Sequence, residues 1–218
     1  MQHKFIKELK HANNIRVLDL TGKRLLNAEF REIIAEHPDI QILICSFTNI
    51  SDLGELPHTL IALICQYNKL TQLDNLPASL LYLDCGNNAL TSLDYLPCGL
   101  QYLFCDNNKI HCLDYLTTRL MELDCCVNYI EKIDHLPYGL QKLLCEHNQI
   151  TSIDYLPDNL QTLSCRSNKI FNFDNLPQNL RELSCSNMFS VDNFAYPVSS
   201  VSSVNSVSSV NSDDTCKQ

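Results

Sequence analysis

The 218-residue sequence predicts an α/β solenoid, with a curved parallel β-sheet, an extended or short-turn convex side and an N-terminal helical cap. Three observations predict it. One motif returns every twenty residues, and a fixed period of this length is typical of stacked repeats. Each motif contains a stretch such as "LYLDC" at 81–85, whose period of two indicates a short strand with alternate side chains pointing inward. Twenty residues are also too few for a strand plus a full helix, so the return path should be extended.

The repeated motif reads L-x-x-L-x-C-x-x-N-x-L, with isoleucine at the last position in several repeats, and a later L-P. It stays in phase from residue 60 to residue 185, and the block at 40–59 fits it with Thr48 at the asparagine position. Because one repeat cannot bury its own apolar side, neighbouring repeats should stack and pair their strands. At a spacing of about 4.8 Å, nine strands give a sheet roughly 40 Å long.

This motif resembles the core L-x-x-L-x-L-x-x-N-x-L of the leucine-rich repeat family, over roughly residues 15–190. The short period and the L-P-x-x-L lead-in are most similar to the repeats of secreted bacterial effectors of the IpaH and YopM kind. Cysteine- and asparagine-rich repeats of amoeba-infecting giant viruses are also similar. Cysteine stands here where the family has an aliphatic strand residue. The resemblance implies a protein-binding solenoid with an effector role in a host–pathogen interaction.

The ends of the chain depart from the twenty-residue period and predict three segments. Residues 1–39 form an N-terminal cap and a first repeat of twenty-five residues, and 40–197 form the tandem repeats with a closing segment. Residues 198–218 are rich in serine, valine and asparagine with a period of three, which suits neither strand nor helix and predicts a disordered tail.

Two short helices are expected within the first segment. Residues 3–11 place Phe5, Ile6 and Leu9 on one side and predict an amphipathic capping helix. A second helical stretch follows Leu25, with Asn27 as its expected N-cap residue.

The cysteine and asparagine ladders have structural interpretations. The cysteine occupies the second inward position of each strand, where a free thiol packs as a small hydrophobic residue. Soft-metal binding and redox chemistry are the alternatives, although zinc needs four converging ligands rather than a row. The asparagines should bond the backbone of adjacent turns. We expect no catalytic residue, no metal site and no cofactor, since no Gly-rich phosphate loop, H-E-x-x-H or paired CxxC occurs.

Charge and composition narrow the classes of partner. A net charge of -9 argues against a nucleic-acid partner and against a polybasic membrane anchor. The sequence lacks a secretory signal and a long apolar span, so no membrane association is expected. Twelve cysteines without such a signal indicate a reducing compartment. We therefore expect a cytoplasmic protein, the cytoplasm of a host cell included, that is a monomer.

The outward strand positions should form the concave binding surface of the solenoid. They are aromatic and apolar towards the N-terminus and acidic further along. Exposed aromatic patches indicate a protein partner, and carboxylates beside them favour one with a basic surface. The alternative is that the N-terminal helix folds over Ile42 and Ile44 and hides them. The predicted binding residues are Tyr67, Tyr82, Asp84, Tyr102, Phe104, Asp106, Glu122, Asp124, Lys142 and Glu146.

Three classes of function are open to a chain of this kind. The favoured one is a non-catalytic protein–protein interaction module that binds a protein through its concave strand face. The alternative is a substrate-adaptor or structural subunit of a larger complex such as a ubiquitin ligase. An enzyme is not expected: the effectors that the chain resembles can carry a ubiquitin-ligase domain after their repeats, and here a serine-rich tail takes that place.

Overall fold

A computed structural model of the protein describes residues 3–11 and 14–185, which form one parallel sheet of nine strands with two helices near its start. Helix α1 (Lys4–His11) precedes the sheet, and α2 (Asn27–Ala35) lies between the first two strands. The strands are β1 (Val17–Asp19), β2 (Ile42–Ile44), β3 (Ala62–Ile64), β4 (Tyr82–Asp84), β5 (Tyr102–Phe104), β6 (Glu122–Asp124), β7 (Lys142–Leu144), β8 (Thr162–Ser164) and β9 (Glu182–Ser184). The predicted solenoid is confirmed. The closing segment after residue 185 and the tail at 198–218 lie outside the described residues.

Strand pairing follows chain order, so each repeat contacts its neighbours in sequence. Leu63 pairs with Leu83 and Leu83 with Leu103, a register of one repeat per strand. Val17 pairs with Ile42 across the longer first repeat, and α2 occupies the additional length.

The core is a continuous stack of inward side chains. The middle residue of each strand, such as Leu103, points into it, as does the cysteine after the strand. The ladder cysteines from Cys45 to Cys145 are fully buried and Cys165 nearly so, all with free thiols. Burial raises the pKa of the Cys85, Cys105 and Cys125 thiols well above the ordinary value. These side chains are therefore neutral packing groups, as the sequence predicted.

The asparagine ladder joins consecutive repeats. Asn128 donates from Nδ2 to the backbone oxygens of Cys105 at 3.0 Å, Cys125 at 3.1 Å and Cys126 at 3.2 Å. Its Oδ1 accepts the amide of Ile110 at 2.9 Å. One buried side chain thus satisfies backbone groups that the bend after each strand leaves unpaired. The predicted backbone-bonding role is confirmed, and the same pattern recurs at Asn68, Asn88, Asn108, Asn148 and Asn168.

The return path on the convex side consists of extended chain and tight turns. The Leu80 amide donates to the Pro77 oxygen at 3.0 Å, and the later L-P motifs repeat this turn. Proline suits the position because its ring fixes φ and the turn does not need its missing amide hydrogen. Within the described residues, neither helix is long and apolar enough to cross a membrane.

The expectation for the start of α2 was wrong. Asn27 is the first helical residue, and Leu26 is the N-cap. The Asn27 side chain instead bonds Ser51 of the next repeat, donating to its hydroxyl at 2.9 Å and accepting its amide at 3.0 Å. The Glu29 carboxylate takes over at the helix start and accepts the Leu26 amide at 2.8 Å.

Candidate protein-binding face

The concave face consists of the first and third residues of each strand, which point away from the core. Its first column runs from Ile42 through Tyr82 and Tyr102 to Glu122 and Lys142. The third residues of the strands form a second column, which contains Ile44, Asp84, Phe104, Asp124 and Leu144. All ten predicted binding residues lie in these columns or in the turn that follows each strand.

Helix α1 lies over the N-terminal half of the concave face. Ile6 is 0% exposed and forms a cluster, separate from the main core, with Ile42, Ile44, Ala62 and Tyr82. Partly buried apolar side chains complete the cluster, namely Phe5, Leu9, Ile15, Ile64, Tyr102 and Phe104. The sequence left open whether the helix hides Ile42 and Ile44. It does, and its contacts extend three strands further than that alternative proposed, to Tyr102 and Phe104 of β5.

Ring contacts fix the position of the helix on the strands. Phe5 stacks on Tyr82 with ring centroids 5.9 Å apart and planes 7° apart. It also meets Tyr102 at 4.8 Å. Such aromatic pairs contribute roughly 0.5–1.5 kcal/mol each beyond the area that they bury. Tyr82 and Tyr102 therefore contact the chain's own helix in this conformation.

His3 extends the cover towards the middle of the sheet. Its ring lies 5.0 Å from Tyr102 and 5.3 Å from Phe104, measured between centroids. Nδ1 accepts the Phe5 amide at 3.2 Å, so in the neutral ring Nε2 carries the proton and donates to Glu122 at 3.2 Å. This contact joins residues 119 positions apart in the chain. Sequence reasoning missed His3, because nothing in its neighbourhood indicates a partner on β6.

The C-terminal half of the face carries an acidic section formed by Asp106, Glu122, Asp124 and Glu146, all half-buried. The Lys142 ammonium lies 3.8 Å from Glu122. Asp106 accepts from the Asn87 amide group at 3.2 Å, Asp124 accepts the Cys126 backbone amide at 3.1 Å, and Glu146 accepts the Ser164 hydroxyl. Among the described residues, no lysine or arginine forms an ion pair with Asp106, Asp124 or Glu146. The section thus carries uncompensated negative charge.

Asp84 adds a buried carboxylate at the border of the two halves. It is 8% exposed, and its Oδ1 has no hydrogen-bond partner. Desolvation raises its pKa to about 6, assisted by the nearby charges of Asp106 and Asp124 and opposed by hydrogen bonds from Gln66 and Gly86. Asp106 packs so close that its Oδ1 lies 2.4 Å from where a Cβ on Gly86 would stand. A side chain at position 86 would therefore have to displace the Asp106 carboxylate from its place beside this glycine.

Tyr67 lies on the rim of the face and pairs with Phe47. The two rings stack with centroids 4.3 Å apart and planes 9° apart, and they are 47% and 52% exposed. Both residues have positive φ, +53° and +58°, which bulky side chains rarely adopt. Later repeats place Asn87 and Asn107 at this position, where asparagine is well tolerated. The local backbone conformation therefore does not explain why this position is aromatic in the repeats of Phe47 and Tyr67.

The chain is similar to several proteins of known structure. No protein-family model matches the chain, and no curated protein is significantly similar to it. YopM of Yersinia pestis is 31% identical over 69% of this chain and 42% of its own, with a TM-score of 0.66. YopM of Yersinia enterocolitica is 30% identical over 67% of this chain and 37% of its own, with a TM-score of 0.56. A Shigella effector leucine-rich repeat domain is 24% identical over 77% of this chain and 84% of its own, with a TM-score of 0.56, and supports the fold alone. The chain spans about two fifths of the YopM chains.

Proposed function

We propose that this chain, a leucine-rich repeat protein whose repeats of about twenty residues resemble those of YopM and the Shigella effector domain, is a module that binds a protein partner. The resemblance supports protein binding, since such effector repeats generally act as interaction modules. The proposed role is binding and not catalysis. A host protein met in a reducing compartment would suit both the resemblance and the free thiols of the chain.

The proposed binding site is the acidic section of the concave face together with its borders. One observation carries this proposal: Asp106, Asp124 and Glu146 are half-buried carboxylates without a cationic partner among the described residues. Carboxylates arranged in this way attract lysine and arginine side chains and repel acidic surfaces. Leu144 contributes an apolar residue between them. We therefore expect a partner with a basic surface.

The other predicted residues have different parts in this proposal. Tyr67 and Phe47 form an exposed aromatic pair at the rim, available as an anchor. Tyr82, Tyr102 and Phe104 hold α1: Tyr82 is buried, Tyr102 and Phe104 are half-buried, and they present their full surface to a partner only when the helix is displaced. Lys142 and Glu122 neutralise one another and define the edge of the section.

The test compares proteins retained from a cell lysate by three immobilised chains: wild type, Asp124→Lys/Glu146→Lys, and Asp94→Lys/Asp134→Lys. The last pair is the matched control, since it makes the same charge change at exposed convex residues. We expect a protein that binds wild type and the convex control, weakens with added salt, and loses about tenfold or more of its affinity for the concave variant. Retention of the same proteins at equal affinity by all three chains would contradict the proposal.

A further inference from the structure

We propose that the surface beneath α1 is a helix-binding site, and that a short basic amphipathic helix of the partner replaces α1 there. This inference rests on the proposed function, because it specifies the kind of segment that the protein partner contributes. The helix-binding site consists of Ile42, Ile44, Ala62, Ile64, Tyr82, Tyr102 and Phe104.

The resident helix shows what the site accepts. Helix α1 inserts two adjacent large apolar side chains, Phe5 and Ile6, and a third one turn later, Leu9. A ring two residues before Phe5, that of His3, lies among three aromatic side chains and bonds Glu122. Any helix with this spacing presents the same apolar surface to the same strands.

The contacts that hold α1 on the strands are ones that another helix can make in its place. The strands beneath it satisfy their backbone groups with their neighbours in the sheet, so the contacts made by the helix are between side chains. Only Ile6 of α1 is fully buried. Eight residues are also too few for a stable isolated helix, since helices shorter than about 12–15 residues are marginal in water. The docked state therefore depends on contacts that a second helix can reproduce.

The charges of α1 show how a partner helix can improve on it. Lys4, Lys7 and Lys10 make the segment basic, which suits an acidic face. Glu8 is the one acidic residue of α1, and its pairing with Lys4 at 3.6 Å offsets part of this positive charge. Lysine in place of this glutamate would raise the positive charge of a helix that docks beside Glu122. A partner helix with the apolar spacing of α1 and a basic residue at the Glu8 position should bind more tightly than α1 does.

The test uses full-length chains and a fluorescein-labelled synthetic peptide with the sequence of residues 1–14. Ile6→Asp places a carboxylate at the fully buried position of α1 and should release the helix from the face. Because a short tether gives the chain's own helix an effective concentration on the order of 1 mM, wild type should bind the peptide about tenfold or more weakly than the Ile6→Asp chain does. Fluorescence anisotropy measures both affinities.

Two further peptides test the sequence specificity of the helix-binding site. With serine at the positions of Phe5 and Ile6, the peptide should not bind the Ile6→Asp chain. With lysine at the position of Glu8, it should bind more tightly than the original. Equal affinity of the original peptide for both chains, or binding that ignores the loss of the two apolar side chains, would overturn the proposal and leave α1 as a fixed cap.

If the Ile6→Asp chain does not fold, a second measurement tests whether the peptide displaces α1. The chain contains no tryptophan, so Phe5→Trp reports the environment of α1 alone. Addition of the unlabelled peptide at about 5 mM, above the effective concentration of the tethered helix, should shift the emission to the red as the indole enters water. An unchanged spectrum would refute exchange.

Failure of the acidic-section test together with a positive peptide result would reject the proposed site at Asp124 and Glu146 but keep the helix-binding site.

Discussion

At the scale of single residues, the asparagine ladder shows how one side chain can hold two repeats together. Asn128 is buried and contacts backbone groups of its own repeat and of the preceding one. The period alone predicts the ladder, because a polar residue that recurs at one bend needs a repeated backbone partner. The Thr48 hydroxyl, which donates to the Cys45 oxygen at 2.8 Å, makes the shorter version of this contact in the first twenty-residue block.

Replacement of Asn128 by alanine should lower the free energy of unfolding by about 1–3 kcal/mol, because buried carbonyls and the Ile110 amide lose their partner. Urea denaturation followed by circular dichroism measures the loss. Asn159→Ala is the matched control, since that side chain makes one exposed hydrogen bond to the Tyr138 oxygen. A loss at Asn128 no larger than that at Asn159 would mean that the ladder does not join the repeats.

Asp84 makes folding stability depend on pH, and the sign of this dependence is opposite to that of a salt-bridged carboxylate. Its pKa is about 6 in the folded chain and near 3.8 when unfolded. Between these values the folded state holds more protons, so the contribution of Asp84 to stability is present below about pH 4 and lost as pH rises through about 6. Asp84→Asn should therefore raise the free energy of unfolding at pH 7 by on the order of 1–3 kcal/mol. It should also reduce the loss of stability that wild type shows between pH 4 and 6. Urea titrations across this range measure it.

The control for Asp84 is Asp94→Asn, which removes an exposed carboxylate on the convex side. That variant should keep the pH dependence of wild type. If Asp84→Asn showed the same slope as Asp94→Asn between pH 4 and 6, the Asp84 carboxyl would not be the group that responds. The sequence did not predict this behaviour: Asp84 occupies an outward strand position, and the repeat pattern does not indicate that Gln66 packs against it or that it is only 8% exposed.

At the scale of elements, the strands were predictable and the position of α1 was not. The period of twenty determines which residues pair, so β3 to β9 and their register follow from counting. The helix itself follows from Phe5, Ile6 and Leu9, but this pattern says only that one side of it is apolar. Where that side packs depends on Tyr82 and Tyr102, some eighty to a hundred residues later in the chain. Local periodicity contains no information on such a distant contact.

At the scale of the whole molecule, the concave face is divided into a half covered by α1 and an open acidic half. The covered half holds the aromatic residues that the sequence indicated as an exposed patch. The open half holds carboxylates that lack cationic partners among the described residues. With a net charge of -9, the chain as a whole also favours an encounter with a basic partner. The proposed binding depends on this division, since it decides which residues a partner meets first.

The measurement that tests this division most directly is iodide quenching of Phe5→Trp fluorescence in the full chain. A Tyr95→Trp chain serves as the exposed reference, because Tyr95 is 85% exposed on the convex side. If α1 lies on the concave face, the indole at position 5 is held against Tyr82 and Tyr102, and we expect it to be quenched several-fold less than the indole at position 95. Equal quenching of the two would show that α1 does not lie on the concave face, and that the aromatic residues there are open to a partner from the start.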